Sequence, residues 1–93
     1  MGTIVPKAFP EQVLSSEAMK PPVHAVRDLG QAVKRLRLQR EMTQQDLADA
    51  CGLDIRYIGS IERGQRNPTF GVLQGIASVF GMKTSDLLRK AKL

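Results

Sequence analysis

The stretch that most limits the fold of this chain is TQQDLADACGLDIRYIGSIER, from Thr43 to Arg63. It reads as two short helices joined by a tight turn: Gln44 to Cys51, then Gly52-Leu53, then Ile55 to Arg63. Thr43 is placed to cap the first helix, its hydroxyl accepting from an N–H of the opening turn, and Asp46 puts a carboxylate near the positive end. Asp54 stands in the same relation to the second helix. Leu47, Ala48 and Cys51 share one face of the first, and Ile58 and Ile61, three apart, face inward from the second. Gly52 sits where the chain must stop and reverse, a position of positive φ. Two helices this short bury too little apolar surface to stand alone, so flanking helices must complete the core.

The flanks supply them. Upstream, a helix is expected from Val26 or Arg27 to about Glu41, with Leu29, Ala32, Val33 and Leu36 as an apolar stripe at i, i+3, i+4, i+7. Lys34, Arg35 and Arg40 face mostly outward, Arg37 lies near the stripe's edge, and Met42 plugs the core beside Leu47. Downstream, Gly64 stops the second helix and Gln65-Arg66-Asn67-Pro68 form a polar loop. Thr69 caps a helix from Phe70 to Phe80, whose apolar positions Phe70, Leu73, Ile76, Ala77 and Phe80 keep the 3.6-residue period. Gly81 ends it, and a last short helix from Ser85 to about Lys90, opened by Thr84 or Lys83, closes the core with Leu87 and Leu88. No run alternates with the period of a strand. The expectation is an all-α domain of five compact helices over residues 26–93.

Residues 1–25 differ. Pro6, Pro10, Pro21 and Pro22, four of the chain's five prolines, break any long helix there, although Glu11 to Met19 has room for about two turns with Pro10 at the first position. Ile4, Val5 and Phe9 are too apolar for a purely solvated tail. The segment reads as an arm that packs loosely on its own domain, or one that binds a second copy or another protein. A DNA-contacting arm is the weakest reading, because only two of its residues are basic.

Charge is placed unevenly. The net charge is +5, and the arm's Lys7 and Lys20 cancel Glu11 and Glu17, so the helical part carries twelve basic against seven acidic residues. Such a domain attracts polyanions, unless the excess serves only solubility. No apolar run approaches the ~20 residues of a membrane span, and no signal peptide is visible. One cysteine excludes an intrachain disulfide and fits a reducing cytoplasm; with a single His it makes a protein-only zinc site untenable, and nothing calls for a cofactor. An enzyme reading fails on inventory: there is no Ser-His-Asp set, no paired carboxylates in an apolar setting and no glycine-rich phosphate loop. Cys51 reads as core and His24 as a plain polar residue of the arm.

The pattern of Gln44, Ala48, Gly52, Ile58 and Ile61 resembles the phage repressor/Cro-like (Xre) helix-turn-helix family, and LDIRYIGSIERGQRN is similar to the controller proteins of restriction–modification systems, one branch of it. The resemblance runs from about Leu29 to Leu88. It implies a lambda-repressor-like domain and a sequence-specific transcriptional regulator of double-stranded DNA, with residues 55–63 as recognition helix. A helix fits the major groove, about 12 Å wide, and reads bases with outward residues near its N-terminal end. Ile55, Arg56, Gly59 and Ser60 are the base-contacting candidates, and the family uses the matching positions so. Arg56 is the strongest, since a guanidinium can bond O6 and N7 of guanine together; the plainer alternative is an exposed helix-stabilising charge. Gln44, by resemblance, contacts a phosphate and braces the first base-reading residue, or is an ordinary first-turn residue. Tyr57, Arg63, Arg66, Asn67 and Thr69 are further phosphate candidates. Also by resemblance, Arg37 pairs with Glu62 as a structural ion pair. One recognition helix reads few base pairs, so a homodimer on a palindromic operator is expected, through Met82, Leu88 and Leu93 or through the arm. The competing expectation is an antitoxin-type protein whose arm masks a partner and whose DNA binding serves autoregulation.

Overall fold

A computed structural model describes residues 23–93, which form five helices: α1 (Val23–Gln39), α2 (Gln44–Cys51), α3 (Ile55–Glu62), α4 (Phe70–Val79) and α5 (Thr84–Lys90). The expected arm, including the turns over Glu11 to Met19, lies outside the described residues up to position 22. Its last three positions belong to α1, which starts earlier than the apolar stripe alone indicated. The stripe begins at Leu29, but helical backbone needs no buried residue in its first turn, and the exposed His24 rides on that turn.

Local rules set the helix starts. The Thr43 hydroxyl accepts from Asp46 N–H at 3.0 Å while the Asp46 carboxylate accepts from Thr43 N–H at 2.8 Å, a reciprocal capping box. The Thr43 backbone N–H, and then the Thr43 hydroxyl, hold the Asp46 carboxyl below its ordinary pKa. Asp54 caps α3 through Arg56 N–H, and Thr69 caps α4 through Val72 N–H. The helix ends share one device as well. After each of the five, one residue turns left-handed and two N–H groups reach back to close the last turn. Gly52, Gly64 and Gly81 take that position at φ 68°, 72° and 72°, as their sequence positions required. Glu41 and Lys92 take it at φ 55° and 64°, which the sequence did not signal, and so α1 ends at Gln39 rather than running on to Glu41.

The core is continuous. Leu29, Ala32, Val33 and Leu36 of α1, Leu47 and Ala48 of α2, Ile58 and Ile61 of α3, Ile76, Ala77 and Phe80, and Leu87 and Ala91 form one buried cluster. Met42, Cys51, Tyr57, Leu73 and Leu88 pack half-buried around it. Each fully buried aliphatic side chain contributes about 1.5–3 kcal/mol. Helix α1 lies against α3 and α5, α2 against α3 and α4, and α4 against α5. Phe70 departs from the expected stripe, with 67% of its surface exposed. Pro68 is buried at that entrance, so the first position of α4 projects beyond the core. Arg35 and Arg40 also differ from free outward charges. Arg40 donates to the Phe80 carbonyl at 2.8 Å with its guanidinium 4.9 Å from the Phe80 ring centroid, and Arg35 donates to the Lys90 carbonyl at 3.0 Å. Both guanidinium groups thus sit at helix C-termini, where the dipole favours cations.

Candidate nucleic-acid interface

Helix α3 is held from below and behind. Ile58 and Ile61 are 0% and 1% exposed, and Glu62 near the end of the helix is buried beside Arg37. Arg37 Nε donates to Glu62 Oε2 at 2.7 Å and Nη2 to Oε1 at 3.0 Å, the expected ion pair in side-on, two-bond form. Two further bonds were not legible from the pairing alone. Arg37 Nη1 donates to the Met42 carbonyl at 2.8 Å, and Gln44 Nε2 donates to Glu62 Oε1 at 3.0 Å. One carboxylate therefore joins α1, α2 and α3, and no buried side-chain N or O among the described residues lacks a partner. The hydrogen bond to Glu62 holds the Arg37 pKa above its ordinary value.

Closeness of α1 and α3 depends on Gly30. A Cβ there would run into the Ile61 carbonyl oxygen and lie 3.0 Å from the Glu62 oxygen. In the sequence, Gly30 has no signal beyond its place inside an otherwise regular helical pattern.

The other side of α3 is open at its N-terminal end. Ile55 is 37% exposed, and the Arg56 side chain stands 89% in solvent. Arg56 is not loose: Nε donates to Asp54 Oδ1 at 3.1 Å and Nη2 to Oδ2 at 3.0 Å. Hydrogen bonds from the Arg56 side chain and then its backbone N–H push the Asp54 carboxyl down to about 2. Ser60 is half-buried, with its hydroxyl donating to the Tyr57 carbonyl at 2.7 Å. Gly59 is covered. Its missing side chain leaves room for the Arg63 guanidinium, whose Nη1 would lie 3.1 Å from a Cβ, with Gln44 Nε2 at 3.9 Å. Of the four base-contacting candidates, Ile55 and Arg56 stand forward, Ser60 is recessed, and Gly59 lies under a basic side chain.

The phosphate candidates fall in two groups. Gln44 and Arg63 flank Gly59, with Gln44 committed through one N–H to Glu62 and Arg63 Nε donating to Gln65 Oε1 at 3.1 Å. The Arg66 guanidinium lies 5.2 Å from the centroid of the Tyr57 ring, which stiffens an exposed arginine at the mouth of the loop. Asn67 is exposed, and Thr69 is exposed with its hydroxyl accepting the α4 capping bond. Cys51 is half-buried and burial pushes its thiol pKa up, the reverse of a reactive thiolate.

A short helix held by two isoleucines against a second, with a three-residue turn between them, is matched by the family model described as helix-turn-helix over residues 33–87. The chain belongs to the helix-turn-helix family. It is 35% identical over 60 residues to the HTH-type transcriptional regulator DdrOP3 of Deinococcus deserti, a match covering 64% of this chain and 46% of that one. It is 40% identical over 60 residues to the control protein C.BamHI of Bacillus amyloliquefaciens, covering 63% and 74% of the two. The restriction–modification controller protein C.AhdI from Aeromonas hydrophila superposes with a TM-score of 0.65 at 32% identity over 67% of this chain and 94% of that one. The chain thus spans about half the length of the Deinococcus regulator and most of the length of the controller proteins. Among the described residues, no helix is long and apolar enough to cross a membrane.

Proposed function

We propose that this helix-turn-helix protein is a sequence-specific DNA-binding regulator of transcription, with α3 entering the major groove. One observation carries the reading: α3 packs on the core through its inner side and its C-terminal end, which leaves Ile55 and Arg56 projecting from its N-terminal end. That is the end from which a helix in a groove reaches base edges. Arg63, Arg66 and Asn67 are exposed alongside and suit phosphates, which fix register without carrying sequence information. The regulator and controller proteins it resembles support this reading, and nothing in them favours a partner-masking role. The protein works as a homodimer on a palindromic site in the cytoplasm, because one helix this short spans too few base pairs for a unique address. Met82 and Leu88, half-buried, and Leu93, 54% exposed, offer apolar surface for pairing.

Selection of bound duplexes from a random DNA pool tests the proposal. Enrichment of a two-fold symmetric sequence is the expected result. Arg56→Ala should then relax the preference at one base pair of each half-site by roughly 1–3 kcal/mol. A protein that enriches no sequence, or an Arg56→Ala variant with an unaltered preference, would refute the assignment.

A further inference from the structure

The Asp54–Arg56 pair does more than begin a helix. Asp54 Oδ1 accepts the Arg56 backbone N–H at 2.7 Å, so the capping bond fixes the carboxylate. That carboxylate then takes one side of the guanidinium through Nε and Nη2. A guanidinium has five N–H groups in a rigid plane. With Nε and one N–H of Nη2 engaged, three N–H groups remain: one on Nη1 points back toward Cδ, and the other on Nη1 and the second on Nη2 form the end of the fork. That end presents two parallel donors, the pattern that O6 and N7 of guanine accept. The pair is also electrically neutral as a unit, which makes it a poor ligand for a phosphate while leaving its hydrogen-bonding edge intact.

We infer that Asp54 is a specificity-determining positioning residue: it turns Arg56 end-on toward a guanine and withholds its charge from the phosphate backbone. This rests on the reading of α3 as the base-contacting helix. An exposed pair of this kind is worth little to folding in water, so its consequence lies in which polyanion contacts Arg56 makes. Without the carboxylate, Arg56 becomes one more cation free to meet phosphates on any sequence.

The test is Asp54→Asn, which keeps a good N-cap residue and removes the charge. Affinity is measured against the selected duplex and a random duplex across a salt series, in the wild-type and Arg56→Ala backgrounds, with thermal unfolding recorded for each protein. On random DNA, the logarithmic salt slope of Asp54→Asn should steepen by about 0.9. If the two proteins bind equally at 1 M salt, that slope makes binding at 0.1 M roughly eight-fold tighter. The preference for G·C at the Arg56 position should weaken, and both changes should vanish when Arg56 is Ala. An unchanged slope and preference would overturn the inference, as would the same changes without Arg56. A loss of affinity equal on both duplexes, following a lower melting temperature, would also overturn it by assigning Asp54 a structural role alone. A wild-type protein that prefers no duplex would instead remove the underlying reading of α3.

Discussion

Replacing Gly30 with Ala sets two effects of opposite sign against each other. In a helix interior, alanine is favoured over glycine by about 0.8–1.0 kcal/mol. Against this stands the Ile61 carbonyl, into which the new methyl would run, with the Glu62 oxygen at 3.0 Å and its carbonyl carbon at 3.1 Å. These are backbone atoms near the end of α3, so no side-chain rotation relieves the overlap and one helix must shift. Overpacking of this kind costs about 1–3 kcal/mol. Gly75 provides the internal control. It lies in the interior of α4, where an added Cβ meets nothing within 4 Å. Gly75→Ala should therefore gain most of the helix-propensity term, about 0.5–1 kcal/mol. The propensity gain is common to both variants, so the difference between them isolates the contact cost, about 1–3 kcal/mol. For a domain of this size, that is a gap in melting temperature of at least ~4 °C. Urea midpoints with unchanged m-values, alongside thermal circular dichroism, measure it. If Gly30→Ala were as stable as Gly75→Ala, the claimed contact between α1 and the end of α3 would be wrong.

The remaining predictions concern charge. Arg37→Met strands the Glu62 carboxylate in a buried site with only Gln44 as side-chain donor, and should cost about 3–5 kcal/mol by denaturant titration; adding Glu62→Leu should recover much of it. Arg66→Ala should weaken binding to every duplex alike and flatten the salt slope by about 0.9, read by fluorescence anisotropy on selected and random DNA. The Asp54 carboxyl is depressed to about 2 in the folded protein, below its unfolded value of about 3.9, so its stabilisation is present above about pH 4 and lost as the pH falls through about 2. That contribution is small because the pair is exposed to solvent, so the pairing is read from the titration of the Asp54 carboxyl by NMR: Arg56→Ala should move it up toward the ordinary carboxylate range, and an unmoved titration would contradict the pairing.

Local chemistry made most of the helix boundaries readable. Thr43, Asp54 and Thr69 are caps because a short oxygen-bearing side chain precedes an apolar period, and Gly52, Gly64 and Gly81 are stops because the left-handed turn tolerates them. Glu41 occupies the same turn against that preference, which no local rule announces. Periodicity shows which side of a helix is apolar but not where its neighbours end, and so Phe70 read as core and is exposed. Long polar side chains were the least legible. Arg35 and Arg40 find carbonyls 55 and 40 residues away, and Gln44 finds Glu62 across 18, partners that only the assembled packing brings near. The seat that Gly59 offers Arg63 is likewise invisible in the pattern, because an absent side chain does not announce which long one will lie over it.

The carboxylate junction of Arg37, Gln44 and Glu62 separates two duties along eight residues of one helix. Apart from the Asp54 cap, what anchors α3 comes from its rear and its tail, so the side chains at positions 55 and 56 carry little of the packing of the bundle. The domain is in that sense a mount with an exchangeable tip, whose solvent-facing letters can change while the scaffold stays as it is.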